Sequence, residues 1–352
     1  MFKLLKSLLS KKLPSFTCNC SCGVQDTLNV TYSPFNCPLS GSTAIQGIRG
    51  INGSEDVYVS GSLEVDAASV LGLIYKGPLS HNGSLGQWYT FTYADANVSN
   101  AYNTSCYGPC DLGNGNIRFV GSYKTTSSGN SALGMLYEGA LDGSGTYTTI
   151  APNGGNTLNV YVHSTMGDLA VGNYDTELTN GNAFIYDIVN KTYNDLKVPD
   201  TVTTTTTLYG IWHNGGTQYT MVGGFSKKEI PEVQQAFICD YDSKTQVVSN
   251  FTPFNGKNEI VKSVITHFEG INAQCNGYDL AAGFGNVSGG GSSYVQVIRE
   301  KDGTFTKGKW TDIKYPDNAV KITTSDTVYK KNILGITVSK AGISSYLAKL
   351  NK

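Results

Sequence analysis

Three histidines, His163, His213 and His267, sit beside short apolar runs of this 352-residue chain. Three imidazoles facing one space would make an open zinc site. Their settings argue against it: His213 follows the Gly-Ile pair of "LYGIWHN", whereas His267 precedes that of "THFEGIN". On a strand, an odd step turns a side chain to the opposite face. Satisfied or solvent-facing histidines are therefore expected, and no metal or other cofactor. Glu55, Asp56, Asp168, Glu269 and Asp279 flank the same runs. Glycoside hydrolysis needs two carboxyls roughly 5–10 Å apart across a sugar. Asp168 and Asp279 each just precede an apolar stretch, where aspartate commonly completes a turn. There is no G-x-S-x-G elbow and no phosphate-cradling glycine loop. "VSGGGSS" at 287–293 has no helix pattern after it and reads as a flexible hairpin loop.

The aromatic residues divide into two groups. Trp88 and Trp310, with Tyr147 and Tyr193, occupy matching places in repeated segments, which predicts packing. Trp212 breaks that pattern. With Tyr209, His213 and Asn214 it offers a stacking surface with polar partners for a sugar ring, and Glu269 adds a carboxylate. A small-ligand site is expected on these five residues.

The elements that carry these residues repeat. "LGLIYKGPL" at 71–79 returns as "LGMLYEGAL" at 133–141. Upstream of each lies a strand centred on a small residue. Its copies carry Gly61, Gly121, Gly172, Gly223, Ala282 and Gly335. The period, roughly 50–60 residues, suits four-stranded propeller blades. Each copy has a candidate innermost strand before the glycine strand, an apolar strand after it, and an aromatic-led strand last ("WYTFTY", "KWTDIKY"). The sixth copy ends one strand short. At the other end of the chain, "TYSPFN" (31–36) resembles "NFTPFN" (250–255), which closes the fourth copy. Residues 27–35 therefore supply the missing strand, and the termini pair to remove exposed edges.

Over residues 26–352 the chain resembles six-bladed β-propellers. That resemblance implies an all-β fold of six four-stranded antiparallel blades, the last completed by the N-terminal strand. The blades fall at about 44–96, 99–154, 156–200, 203–256, 262–318 and 321–352 plus 27–35. There is no Asp-box, WD or kelch series, and the fold alone names no activity.

Residues 1–26 stand outside the repeats. Leu4, Leu5, Leu8, Leu9 and Leu13 share one helical face ringed by lysines. Pro14 ends the pattern, which suits contact of residues 1–22 with a membrane surface or a partner. Cys18, Cys20 and Cys22 follow as candidates for lipidation or tethering. Cys106 and Cys110 bracket a Gly-Pro turn and are candidates for a disulfide. Charged residues are 15% of the chain and the net charge is −1, which excludes a nucleic-acid footprint. Uncharged polar loops and several Asn-x-Ser/Thr sequons suit a cell-surface, extracellular or virion setting. The absence of a catalytic motif points to a non-enzymatic recognition or structural scaffold with a protein or glycan partner. The alternative is a carbohydrate-binding or carbohydrate-processing propeller with its ligand at the central funnel.

Overall fold

The computed structural model describes residues 28–351, except 67–68, 96–97, 99, 130, 200, 257–264 and 287–288. The leader, with Cys18, Cys20 and Cys22, lies outside the described residues. Among these residues no helix is long and apolar enough to cross a membrane.

The described chain is nearly all strand, in antiparallel four-stranded units. In the first unit Ser42–Gly50 is innermost, followed outward by Val57–Asp66, Ser69–Gly77 and Gln87–Phe91. The innermost strands of the next four units are Ala101–Gly113, Asn159–Met166, Thr203–Gly215 and Ile265–Gln274. Among the described residues one parallel bridge, Gln234 to Ile265, pairs a strand of the unit beginning at 203 with one of the unit beginning at 265. In the last unit Asn29–Pro34 pairs with Gly342–Asn351, joining the two ends of the chain. Its innermost strand is split into Val320–Thr323 and Thr327–Tyr329, both paired to Asn332–Ser339.

The middle strands carry runs of consecutive buried residues rather than an alternation, so both faces of a unit are buried against neighbouring units. Phe119, Met135 and Tyr137 of the second unit pack with Tyr58, Ile74 and Phe91 of the first. Phe35, Leu334 and Leu347 of the last unit pack with Ile45, Val59 and Tyr75 of the first. The repeated aromatics serve this packing: Trp88 lies 5.0 Å from Tyr75 and 5.4 Å from Phe35, and Trp310 lies 5.9 Å from Phe268. An ion pair ties the units at 203 and 265 together. Arg299 donates to both Asp240 oxygens at 2.6 and 2.9 Å, and Thr220 and Asn250 complete the carboxylate's shell. Burial opposes ionisation of Asp240, but these donors hold its pKa below the usual carboxylate range.

The repeated glycine has a structural cause. A Cβ at Gly61, Gly121, Gly172, Gly223 or Gly335 would overlap a backbone carbonyl oxygen of the innermost strand, from Ala44, Ser105, Tyr161, Thr207 or Thr324 respectively. In each case the innermost strand has a bulge or irregularity at or just beyond that carbonyl. Ala282 is tolerated in the unit at 265, where the close approach falls on Gly283 and the His267 ring instead. Gly223→Ala should therefore lower stability by about 1–3 kcal/mol, as overpacking does. Urea unfolding would read this as a lower midpoint at unchanged slope; an unchanged midpoint would contradict it.

Two local expectations are corrected. Residues 289–291 are not loop: Gly289–Ile298 is a strand, and Gly291 has no room for a side chain because the Phe284 ring lies over it. Asp279 completes no turn. It is fully buried, accepts hydrogen bonds from Tyr294 Oη at 2.6 Å and from Gln274, and burial raises its pKa. Asp168 does occupy a turn, with Gly167.

Candidate functional site

The bulges determine which side chains meet. In the pairing of innermost and glycine strands the extra residue is Gln46, Tyr107 with Gly108, His163, Tyr209 and Glu269 in successive units. In the last unit Thr324, Ser325 and Asp326 oppose only Gly335 and Ile336. A bulge re-aims the side chain it carries. Gln46, Tyr107, His163, Tyr209, Glu269 and Asp326 all line one cavity of about 260 Å3, with Ala44 and Ile336.

Charge in this cavity is unevenly distributed. Glu269 Oε1 lies 2.6 Å from His267 Nε2, and both side chains are about a quarter exposed. Burial disfavours the carboxylate, but His267 and then His163 outweigh it and hold its pKa below the usual range. Burial likewise disfavours the His267 cation, yet Glu269 raises its pKa above the ordinary histidine value. Asp326 behaves oppositely. Burial and the nearby Glu269 charge push its pKa up to about 8, although Thr324 Oγ1 donates to it at 2.8 Å. The cavity thus holds one ionised and one protonated carboxyl at neutral pH. Burial pushes His163 down to about 4, so it is neutral, with Nε2 2.8 Å from Asn173 Oδ1. Tyr209 lies between the histidine rings, 4.6 Å from His163 and 5.4 Å from His267. It supplies an aromatic wall beside the acid pair.

The ligand cluster expected from the sequence is divided. Tyr209 and Glu269 join the cavity, but Trp212, His213 and Asn214 do not. Trp212 opens into a second chamber beside Arg49. His213 stacks on Tyr219 at 4.6 Å and its Nε2 meets the Gly216 carbonyl. Asn214 bonds Thr220 and Tyr278. Trp212 and Asn214 stand an odd number of residues from Tyr209, so alternation already turns them to the other face. The histidine trio is divided too: His163 and His267 flank Tyr209, and His213 sits elsewhere. Among the described residues no group of three or more His, Cys, Asp or Glu could hold a metal ion. Cys106 and Cys110 are free thiols. The bulge between them sends the Cys106 sulfur toward Gly72 in the first unit, while Cys110 Sγ faces the Asp111 carbonyl. Glu55 and Asp56 lie away from the cavity, Glu55 at the second chamber. Asp326, Gln46 and Tyr107 went unnoticed in the sequence. The available signal was the glycine repeat, which marks the bulge in the preceding strand.

No protein-family model matches the chain, and no curated protein does. Among solved structures it is similar to an α-L-arabinofuranosidase from Lactobacillus brevis, at 14% identity and a TM-score of 0.47 over 80% of this chain and 98% of that one. It is also similar to the GH93 α-L-arabinofuranosidase of Fusarium graminearum, at 12% identity and a TM-score of 0.49 over 90% of this chain and 96% of that one. A third is a β-1,2-mannobiose phosphorylase from Listeria innocua, at 10% identity and a TM-score of 0.43 over 93% of this chain and 91% of that one. These three neighbours are carbohydrate-processing enzymes by name. The expectation of a non-enzymatic scaffold is not kept, because one cavity holds an ionised and a protonated carboxyl. That expectation rested on missing motifs, and a site built from one residue per unit leaves none.

Proposed function

We propose that the chain is a carbohydrate-processing β-propeller of six blades, closed by the pairing of its first and last strands, with its ligand site in the central channel. The reaction is glycoside hydrolysis. Asp326, protonated at neutral pH, donates a proton to the leaving-group oxygen. Glu269, held ionised by His267, acts on the anomeric centre as nucleophile or through a water. Tyr209 and Tyr107 provide ring faces for the sugar, and Gln46 a polar group in the lining. The observation that carries this reading is the pair of carboxyls with opposed protonation in one cavity. The cavity, about 260 Å3, is near the small end of ligand pockets and suits one terminal sugar residue better than a long chain.

The test is a panel of aryl glycosides of pentofuranoses and hexopyranoses, including an α-L-arabinofuranoside. Turnover of one of them by the wild type, lost in both Asp326→Asn and Glu269→Gln, is the expected result. Turnover that survives both substitutions would refute the assignment.

A further inference from the structure

Three residues beyond each cavity position, the innermost strands present a second set of side chains: Arg49, Cys110, Met166, Trp212, Asn272 and Tyr329. Five of these, Arg49, Met166, Trp212, Asn272 and Tyr329, line a separate chamber of about 630 Å3 together with Lys330. Arg49 is 8% exposed. Its guanidinium donates to the Ile211 carbonyl at 2.7 Å and the Ile48 carbonyl at 3.1 Å, with weaker contacts of 3.4 Å to the Ile271 carbonyl and Ser164 Oγ. Nε is buried with no partner. The partners are neutral and come from strands of four units, so this one side chain spans the floor of the chamber.

A buried cation without an anion is costly, and arginine does not relieve the cost by giving up its proton. Burial draws the Arg49 pKa down only to about 10. No carboxylate among the described residues lies within ion-pair distance of it. The Trp212 ring centroid is 5.6 Å from the guanidinium carbon, which partly compensates the charge without neutralising it. Lys330 adds a second cation at the exposed rim, and Glu55 is the one carboxylate lining the chamber, also exposed. The chamber therefore keeps a net positive charge that is deepest at Arg49.

We propose that this chamber is a binding site for a small oxyanion, a phosphate or a carboxylate, held by Arg49 with Lys330 at the rim and Trp212 against the body of the ligand. The two long guanidinium contacts are the ones such an anion would replace, and a guanidinium fork matches either oxyanion. The site is independent of the proposed glycoside chemistry, whose carboxyls line the other cavity.

The test is calorimetric titration of the full chain with inorganic phosphate and, separately, with glucuronate, at fixed ionic strength against chloride. Saturable binding of either is expected, and which one binds identifies the oxyanion. Binding should be lost in Arg49→Met and roughly tenfold weaker in Lys330→Asn. Asparagine tolerates the positive φ of 44° at position 330, so this second variant stays informative if Arg49→Met does not fold. Asp326→Asn should bind as the wild type does, which separates this site from the hydrolytic one. Absence of binding by both anions, or binding unchanged in Lys330→Asn and in a folded Arg49→Met, would overturn the proposal.

Discussion

Asp326→Asn is expected to reduce kcat/KM on a cleaved glycoside by roughly 10²–10⁴-fold, the range for loss of a general acid. The same substitution should change how stability responds to pH, which makes the assignment testable without a substrate. Asp326 titrates at about 8 in the folded protein, against an ordinary value of 3.8. A group whose folded pKa is raised contributes stability that is complete below the unfolded pKa and is lost as pH rises through the folded value. Below about pH 6.5 this loss overlaps an opposing one. His163, depressed to about 4, destabilises the fold as pH falls, because only the unfolded chain takes up its proton. Between about 6.5 and 8, His163 is neutral in both states and the Asp326 effect stands out. The wild type should lose thermal stability across that interval, with His267 contributing in the same direction. Asparagine cannot ionise, so the variant should show a flatter profile and a higher Tm than the wild type at pH 8. In the active enzyme the alkaline limb of kcat/KM should fall near 8. A variant with unchanged pH–Tm slope above 6.5 would mean that Asp326 is already ionised and cannot be the acid.

Much of the architecture was legible because it is repeated. Gly61, Gly121, Gly172 and Gly223 marked equivalent strands, and the likeness of residues 31–36 to 250–255 anticipated the pairing of Asn29–Pro34 with Gly342–Asn351. The site was legible only in part, because simple alternation fails at a bulge. Counting by twos from Tyr209 does not place Glu269 or His163 beside it. The three are brought together because each is the extra residue of its own strand. Asp326 was harder still. Its strand, "TTSDTVY", is split and lacks the Gly-Ile pair that marked its counterparts at 210 and 270. The glycine that implies its bulge is Gly335, eleven positions from Thr324, whose carbonyl it accommodates. Reading each repeated glycine as the footprint of a bulge in the strand before it would have found five of the six positions; opposite Glu269 the repeat carries Ala282 instead.

The two carboxyls are linked, so each should report on the other. Glu269→Gln should abolish turnover to a similar extent as Asp326→Asn, since it removes the charge acting at the anomeric centre. Its effect on stability should have a different shape. Glu269, with its pKa lowered from 4.5, contributes stability present above that value and lost as pH falls. His267, with its pKa raised from 6.5, contributes stability present below that value and lost as pH rises through its folded pKa. The pair therefore stabilises most between about pH 4.5 and 6.5, and the deficit of Glu269→Gln should peak there. Removing one partner of a buried pair costs about 3–5 kcal/mol, and the partial exposure of this pair reduces the expected deficit to about 1–3 kcal/mol. Adding His267→Asn should recover part of it, because no uncompensated imidazolium remains. The substitution also takes a negative charge away from Asp326, so the Asp326 pKa should fall and the loss of stability near pH 8 should move to lower pH. A Glu269→Gln profile that keeps its decline near 8 would show that the carboxyls do not sense one another, and the shared cavity would then lack the coupling on which acid catalysis by Asp326 depends.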